Sequence, residues 1–221
     1  MIFIKSFGNC YYFWIIIFII QFNNFWFNFF LNIYQIFYIF MHFNFLKKYY
    51  FINKFDHEHI KKLDKNISLI YRNYSTKTDE KLIIQIKNLC KKNRRKFFIS
   101  NNFKLALKLN LDGVYLPSYN KEIRTNCYAL KKKFQVIGSA HNIKEILIKQ
   151  KQGAKEIFVS SLFKKNNNFL GLNKFNNLIK LNKIDKIALG GIKKKNINKL
   201  KLLNISGFAA VSYFNKQKKG P

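Results

Sequence analysis

From Lys47 onward, short β-branched and aromatic runs alternate with longer segments in which apolar residues return every three or four positions. The runs Lys48–Phe55, Ile67–Tyr74, Lys96–Ser100, Gly113–Leu116, Gln135–Ser139, Glu156–Ser160, Lys186–Leu189 and Gly207–Val211 read as eight strands. Between them the spacing predicts helices over Asp79–Lys92, Phe103–Asn110, Lys121–Lys132, Asn142–Lys151, Lys174–Leu181 and Lys194–Leu203. Leu82, Ile83, Ile86, Leu89 and Cys90 show the helical period most clearly, and His57–Leu63 is the shortest connection. Strands that are apolar throughout belong to parallel sheets covered on both faces, and eight such strand–helix units can close on themselves. The expected fold class is therefore α/β, a TIM (β/α)8 barrel over residues 47–221; a flavodoxin-like sheet would need fewer strands. Only Tyr213–Pro221 follow the last strand, too few for a normal eighth helix. The missing helix is expected to leave an apolar groove for a partner subunit, which makes a homo-oligomer one expectation.

Residues 1–46 are a different material. Ser6–Leu46 holds no Lys, Arg, Asp or Glu, and Tyr11–Ile20 is an unbroken apolar run. As helix, at ~1.5 Å per residue, the stretch could cross a ~30 Å bilayer about twice. Lys5 and Lys47–Lys48 would then share the cytoplasmic side, with a turn near Asn23–Asn24. Asn23, Asn24, Asn28, Asn32 and Gln35 would be costly in lipid. The in-frame Met41 supports a second reading, translated upstream sequence. No small-residue cleavage site follows the run, which argues against a signal peptide. The barrel is expected in the cytoplasm, with a membrane-anchored barrel facing the cytoplasm as the alternative.

A formal net charge of +31 first suggests a nucleic-acid or anionic-membrane partner. The lysines, however, are spread over every polar helix face instead of gathered in one tract, and Lys, Asn, Ile, Phe and Tyr are inflated together. No nucleic-acid partner is expected. Cys10, Cys90 and Cys127 are too few and too scattered for a disulfide framework or a zinc site, and fit a reducing compartment. Cys90 sits on an apolar helical face as a core residue. Arg94–Arg95 reads as a solvated turn, and Asp56-His57-Glu58-His59 as a solvated helix start, since histidines two apart on a helix face different ways.

In a barrel of this type the chemistry lies at the C-terminal ends of the strands, with phosphate commonly bound after strands seven and eight. Gly190–Gly191 follows the seventh strand and opens the segment Lys194–Leu203, so backbone N–H groups and a helix N-terminus can approach an anion. Ser212 ends the eighth strand and can offer a hydroxyl to the same group. Of the ten acidic residues, Asp112 and Asp185 precede their strands, which leaves Asp56 as the carboxylate expected near the mouth. Phosphate is then neutralised by Arg72 and Lys165. His141 can move a proton on a bound heterocycle, or it can simply hydrogen-bond its own loop.

Several stretches, in order, resemble the thiamine phosphate synthase/TenI family. They are Ile99-Ser100-Asn101-Asn102, Ala106-Leu107, Asp112-Gly113-Val114-Tyr115-Leu116, Gly138-Ser139-Ala140-His141-Asn142, Gly153-Ala154, Leu170-Gly171, Ile187-Ala188-Leu189-Gly190-Gly191-Ile192 and Gly207-Phe208-Ala209-Ala210-Val211-Ser212. The resemblance spans roughly Lys48–Phe214. It implies a barrel of thiamine biosynthesis that binds a thiazole phosphate at Gly190, Gly191 and Ser212, with Ser139 and Arg72 as further binding residues. A pyrimidine diphosphate is the second substrate if condensing activity is kept, and Mg²⁺ only in that case. Of the family's Gln-x-Arg-x-Lys at strand two, Arg72 alone survives in Ile70-Tyr71-Arg72-Asn73-Tyr74. The family's two metal aspartates fall on Asn101 and Asn120, and a neutral amide is a poorer Mg²⁺ ligand than a carboxylate. No metal ligand is therefore assigned and no cofactor is certain. The TenI branch, a thiazole tautomerase with a histidine after strand five, resembles this arrangement through His141. Three activities stand: a tautomerase, a weakened synthase, or a non-catalytic phosphate-ligand-binding or partner protein of the same pathway.

Overall fold

The computed structural model describes residues 28–30, 33, 46–74, 79–123, 130–181 and 183–215. The chain divides into two compact units, Met1–Phe45 and Leu46–Pro221. Of the first, Asn28–Phe30 and Ile33 are helical and exposed. The expected transmembrane hairpin otherwise falls outside the described residues, as do Cys10 and Cys127, and no helix among the described residues is long and apolar enough to cross a membrane.

The second unit is a closed barrel of eight parallel strands in sequential order. They are β1 (Lys47–Ile52), β2 (Ile67–Tyr71), β3 (Phe97–Ser100), β4 (Gly113–Leu116), β5 (Gln135–Ala140), β6 (Glu156–Val159), β7 (Asp185–Leu189) and β8 (Gly207–Ala210), with β8 pairing back onto β1 through Lys47↔Gly207 to Tyr50↔Ala210. Outside them lie α1 (His57–Lys62), α2 (Glu80–Lys92), α3 (Phe103–Lys108), α4 (Ile143–Lys151), α5 (Gly171–Lys180) and a 3-10 helix over Ile197–Leu202. Strand alternation sends Tyr49, Phe51, Ile70, Phe98, Tyr115, Ile137, Phe158, Ile187 and Ala209 into the barrel, where they form one core. Below that core, Glu156 is buried and accepts from Lys47 Nζ at 2.7 Å and Tyr49 OH at 2.5 Å. Lys47 also donates to Asp185 at 2.9 Å, so the N-terminal end of the barrel is closed by a charged network.

Several expectations are corrected. β1 and β2 end at Ile52 and Tyr71 rather than at Phe55 and Tyr74. The helix expected at Lys194–Leu203 starts later and is 3-10, because Asn196 donates to Gly191 O and accepts from Lys193 N, which keeps 191–196 as a loop. Half of the helix expected at Lys121–Lys132 lies on undescribed residues, and Lys121, Glu122 and Leu130–Lys132 are not helical. Arg95 is no solvated turn. It is 4% exposed and donates to the carbonyls of Ile67, Ile60 and Leu63, tying α1 and β2 together. Cys90 is buried, as its periodicity implies, and burial pushes its thiol up to about 12.

No eighth helix follows β8 among the described residues, and a turn of the chain itself packs where the apolar groove was expected. Phe214 folds back onto the outer face of β8 and β1, stacking on Phe208 at 5.9 Å and packing on Tyr50 at 5.5 Å. Tyr50 OH donates to Asn215 at 2.6 Å and secures the same turn. The chain's own aromatic residues thus cover part of the place of an eighth helix.

Candidate active site

β6 and β7 build one wall of the barrel mouth by packing their following loops together. Leu162 N donates to Leu189 O at 3.0 Å and Phe163 N to Gly190 O at 2.8 Å. The approach is so close that a Cβ on Gly190 would lie 2.5 Å from Ser161 Oγ, and one on Gly191 2.5 Å from the backbone nitrogen of Lys164. Both glycines also have positive φ, +104° and +72°, which L side chains rarely adopt. The pair is required by geometry before any ligand is considered.

Above this turn lies a cavity of about 560 Å³ lined by Arg72, Lys164, Gly190, Gly191, Lys193, Lys195, Asn196 and Ser212, among others. It brings together four of the residues singled out from sequence: Arg72, Gly190, Gly191 and Ser212. Among the described residues its charged groups are Arg72, Lys164, Lys193 and Lys195, with no carboxylate. Such a lining suits a phosphate, which takes backbone and guanidinium donors together. Lys165 is not part of it. It points to solvent, and its neighbour Lys164 lines the cavity instead. The late start of the 3-10 helix also removes the helix N-terminus expected here, so the charge facing an anion comes from side chains.

Arg72 is aimed by aromatic packing. Its guanidinium lies 4.5 Å from the Phe51 ring centre and 5.8 Å from that of Tyr74. Beneath it, burial pushes the Tyr115 phenol up to about 12, opposed by hydrogen bonding with Ser139 and by the nearby Arg72. Ser139 is buried within β5 and so belongs to the barrel interior, outside the cavity lining. Ser100, inward by alternation at the end of β3, carries a buried hydroxyl with no hydrogen-bond partner among the described residues. Neither Tyr115 nor Ser100 was found from sequence, although counting by twos from Phe98 would have placed Ser100 at the mouth.

His141 follows β5 and is held by Glu145 of α4. Glu145 Oε2 accepts from His141 N at 2.7 Å and lies 3.0 Å from Nδ1. Asn142 caps the helix by accepting from Glu145 N at 3.0 Å, so cap and histidine are positioned as one unit. A carboxylate on Nδ1 leaves Nε2 as the nitrogen available to a ligand. Glu145 is thus a carboxylate on the mouth side of the strands. Asp56, expected near the mouth, follows β1 and caps α1 by accepting from His59 N at 2.9 Å.

Asn101 and Asn120 are together, with Asn120 Nδ2 donating to Asn101 Oδ1 at 2.6 Å. Asn120 Oδ1 already accepts from Glu122 N at 2.9 Å and Gln152 Nε2 at 3.1 Å. Two amides that satisfy each other, with no carboxylate, do not fit a magnesium ion, which relies on carboxylate and phosphate oxygens. Among the described residues no group of three His, Cys, Asp or Glu side chains could hold a metal.

The family model described as thiamine monophosphate synthase matches residues 61–214. The chain belongs to this family, the thiamine phosphate synthase/TenI family. A thiamine-phosphate synthase of Prochlorococcus marinus is 32% identical over 157 residues, which cover 66% of this chain and 44% of that relative. One of Fusobacterium nucleatum is 30% identical over 159 residues, covering 70% of this chain and 77% of the relative. Two Prochlorococcus relatives are thus matched over less than half their length, 44% and 38%. Among solved structures, the thiamine phosphate pyrophosphorylase from Pyrococcus furiosus superposes with a TM-score of 0.63 over 77% of this chain and 87% of its own, at 21% identity. That likeness bears on the fold, and it agrees with the closed barrel seen here.

Proposed function

We propose that this family member binds a thiazole phosphate in the cavity above Gly190–Gly191 and moves a proton on the bound heterocycle, the chemistry of the tautomerase branch. The observation that carries the reading is the junction of Arg72, Gly190, Gly191 and Ser212 with three lysines in one cavity free of described carboxylates. The glycine amides, Ser212 and Arg72 take the phosphate, and the barrel mouth takes the ring. His141, held through Nδ1 by Glu145, offers Nε2 as acid and base. Nothing in this chemistry calls for a metal at Asn101 and Asn120.

The test is to incubate the full chain with the thiazole phosphate precursor, the pyrimidine methyl diphosphate and Mg²⁺, following products by mass spectrometry and ultraviolet absorbance. Aromatisation without condensation is the expected result. Thiamine phosphate would instead establish a synthase, the second reading, which the names of the relatives favour. Neither product would leave a carrier. His141→Ala separates the first and last cases: a tautomerase loses turnover while keeping ligand affinity, and a carrier changes little. We further propose that residues 1–46 are a separate segment that this chemistry does not use.

A further inference from the structure

The pair Asn101–Asn120 has a cation beneath it that belongs to the protein. Lys149 is 0% exposed, although it lies on α4 where an apolar residue would be expected. Its stem runs over Gly138, where a Cβ would come within 2.8 Å of Lys149 Cγ and Cδ, so the glycine makes the room. Its ammonium donates to Asn120 O at 2.5 Å and to Gln152 Oε1 at 3.0 Å. Gln152 Nε2 in turn donates to Asn120 O, Asn120 Oδ1 and Glu122 O at 3.2, 3.1 and 2.9 Å.

Backbone groups fix which way each amide faces, because a backbone N–H only donates and a carbonyl only accepts. The Asn120 atom facing Glu122 N must be its oxygen. Its nitrogen therefore faces Asn101, and the Asn101 atom that meets it must be oxygen. What remains is Asn101 Nδ2, on an exposed residue just beyond β3 at the barrel mouth, and it donates to no described residue. The constellation presents N–H where a metal site would present oxygen, and it holds a buried ammonium behind.

We propose that Asn101, Asn120, Gln152 and Lys149 form a metal-free anion subsite at the mouth, in which Asn101 Nδ2 donates directly to a phosphate or diphosphate oxygen. Lys149 is its positioning residue and fixed positive charge. The proposal rests on the reading of the mouth as a phosphate-ligand site and concerns how a second anionic group is held there. Glu145 is the carboxylate whose field reaches Lys149, and it is paired with His141.

The test uses the full chain and inorganic diphosphate as probe. Calorimetric titration in EDTA should show binding, and electron paramagnetic resonance should show no uptake of Mn²⁺ by the protein, alone or with diphosphate. Asn101→Asp is isosteric, suits the positive φ of 55° as Asn does, and keeps an acceptor for Asn120 Nδ2 while turning a carboxylate oxygen to the mouth. It should lower diphosphate affinity in EDTA by about tenfold or more and create Mn²⁺ uptake. Lys149→Met keeps the stem and should weaken diphosphate in the same direction. Lys149→Gln, which restores a donor without charge, should recover only part of the loss. Diphosphate binding by the unaltered chain that requires Mn²⁺, or an Asn101→Asp variant that binds diphosphate as well as the parent in EDTA, would overturn the proposal. Failure of the tautomerase reading appears elsewhere, in the product assay, and leaves these outcomes readable.

Discussion

At the scale of single residues, the mouth is governed by close approaches that tolerate little change. Gly191→Ala would force a Cβ onto the Lys164 backbone at an unfavourable φ. It should destabilise the barrel by about 2–3 kcal/mol and abolish phosphate binding, as read by thermal melts and phosphate titration. Lys149 gives a pH signature. Burial lowers its ammonium to about 8, with Glu145 opposing, while the unfolded value is 10.5. The unfolded chain then holds the extra proton between these values, so stability from this group rises with pH across that window. Urea unfolding at about pH 8 and about pH 9.5 should show this contribution as the difference in pH slope between the parent and Lys149→Met. Lys186, also lowered by burial, moves the same way, while Cys90 and Tyr115, raised by burial, oppose it in both chains. Asp185 behaves in the opposite sense. The hydrogen bond from Lys47 holds its carboxyl below the ordinary 3.8, so its contribution is present above that value and is lost as pH falls through the lower folded one.

At the scale of elements, α4 links fold to chemistry. Asn142 caps it, Glu145 in its first turn holds His141, and Lys149 on its buried side holds the Asn120 loop. Asn142→Ala removes one cap bond and should cost about 1 kcal/mol. Because Glu145 is positioned by the same cap, the proposed tautomerase predicts that the variant lowers turnover more than thiazole phosphate affinity, which steady-state kinetics and calorimetry can separate. The helix itself was readable from the spacing of Ile143 and Ile146 and from Asn142 three residues before Glu145. Its buried lysine was not. Periodicity marks Lys149 as a position on the inner side but says nothing of the carbonyls of another loop that make a charge acceptable there. The 3-10 segment Ile197–Leu202 was misread as helix from 194 for a similar reason. Residues 193–196 have suitable composition, but Asn196 bonds across the turn to Gly191 and prevents a helical start.

At the scale of the whole molecule, closure of the barrel depends on both ends. The Lys47–Glu156–Asp185 network seals one end, and the turn Tyr213–Asn215 covers the place of an eighth helix. Phe214→Ala should expose Phe208 and Tyr50 and cost about 3 kcal/mol or more, with a matching fall in thermal midpoint. The eight strands, their order and the closed sheet were legible along the chain because a parallel strand covered on both faces needs an unbroken apolar run, and such a run is a local property. The tight turn at Gly190–Gly191 was legible too, because its geometry admits glycine alone. The choice of Lys164 over Lys165, the burial of Arg95, the pairing of Asn101 with Asn120 and the charge beneath them were not local. Each depends on which polar atoms from distant segments are brought within hydrogen-bond reach, and that is settled when the sheet closes and the loops above it pack.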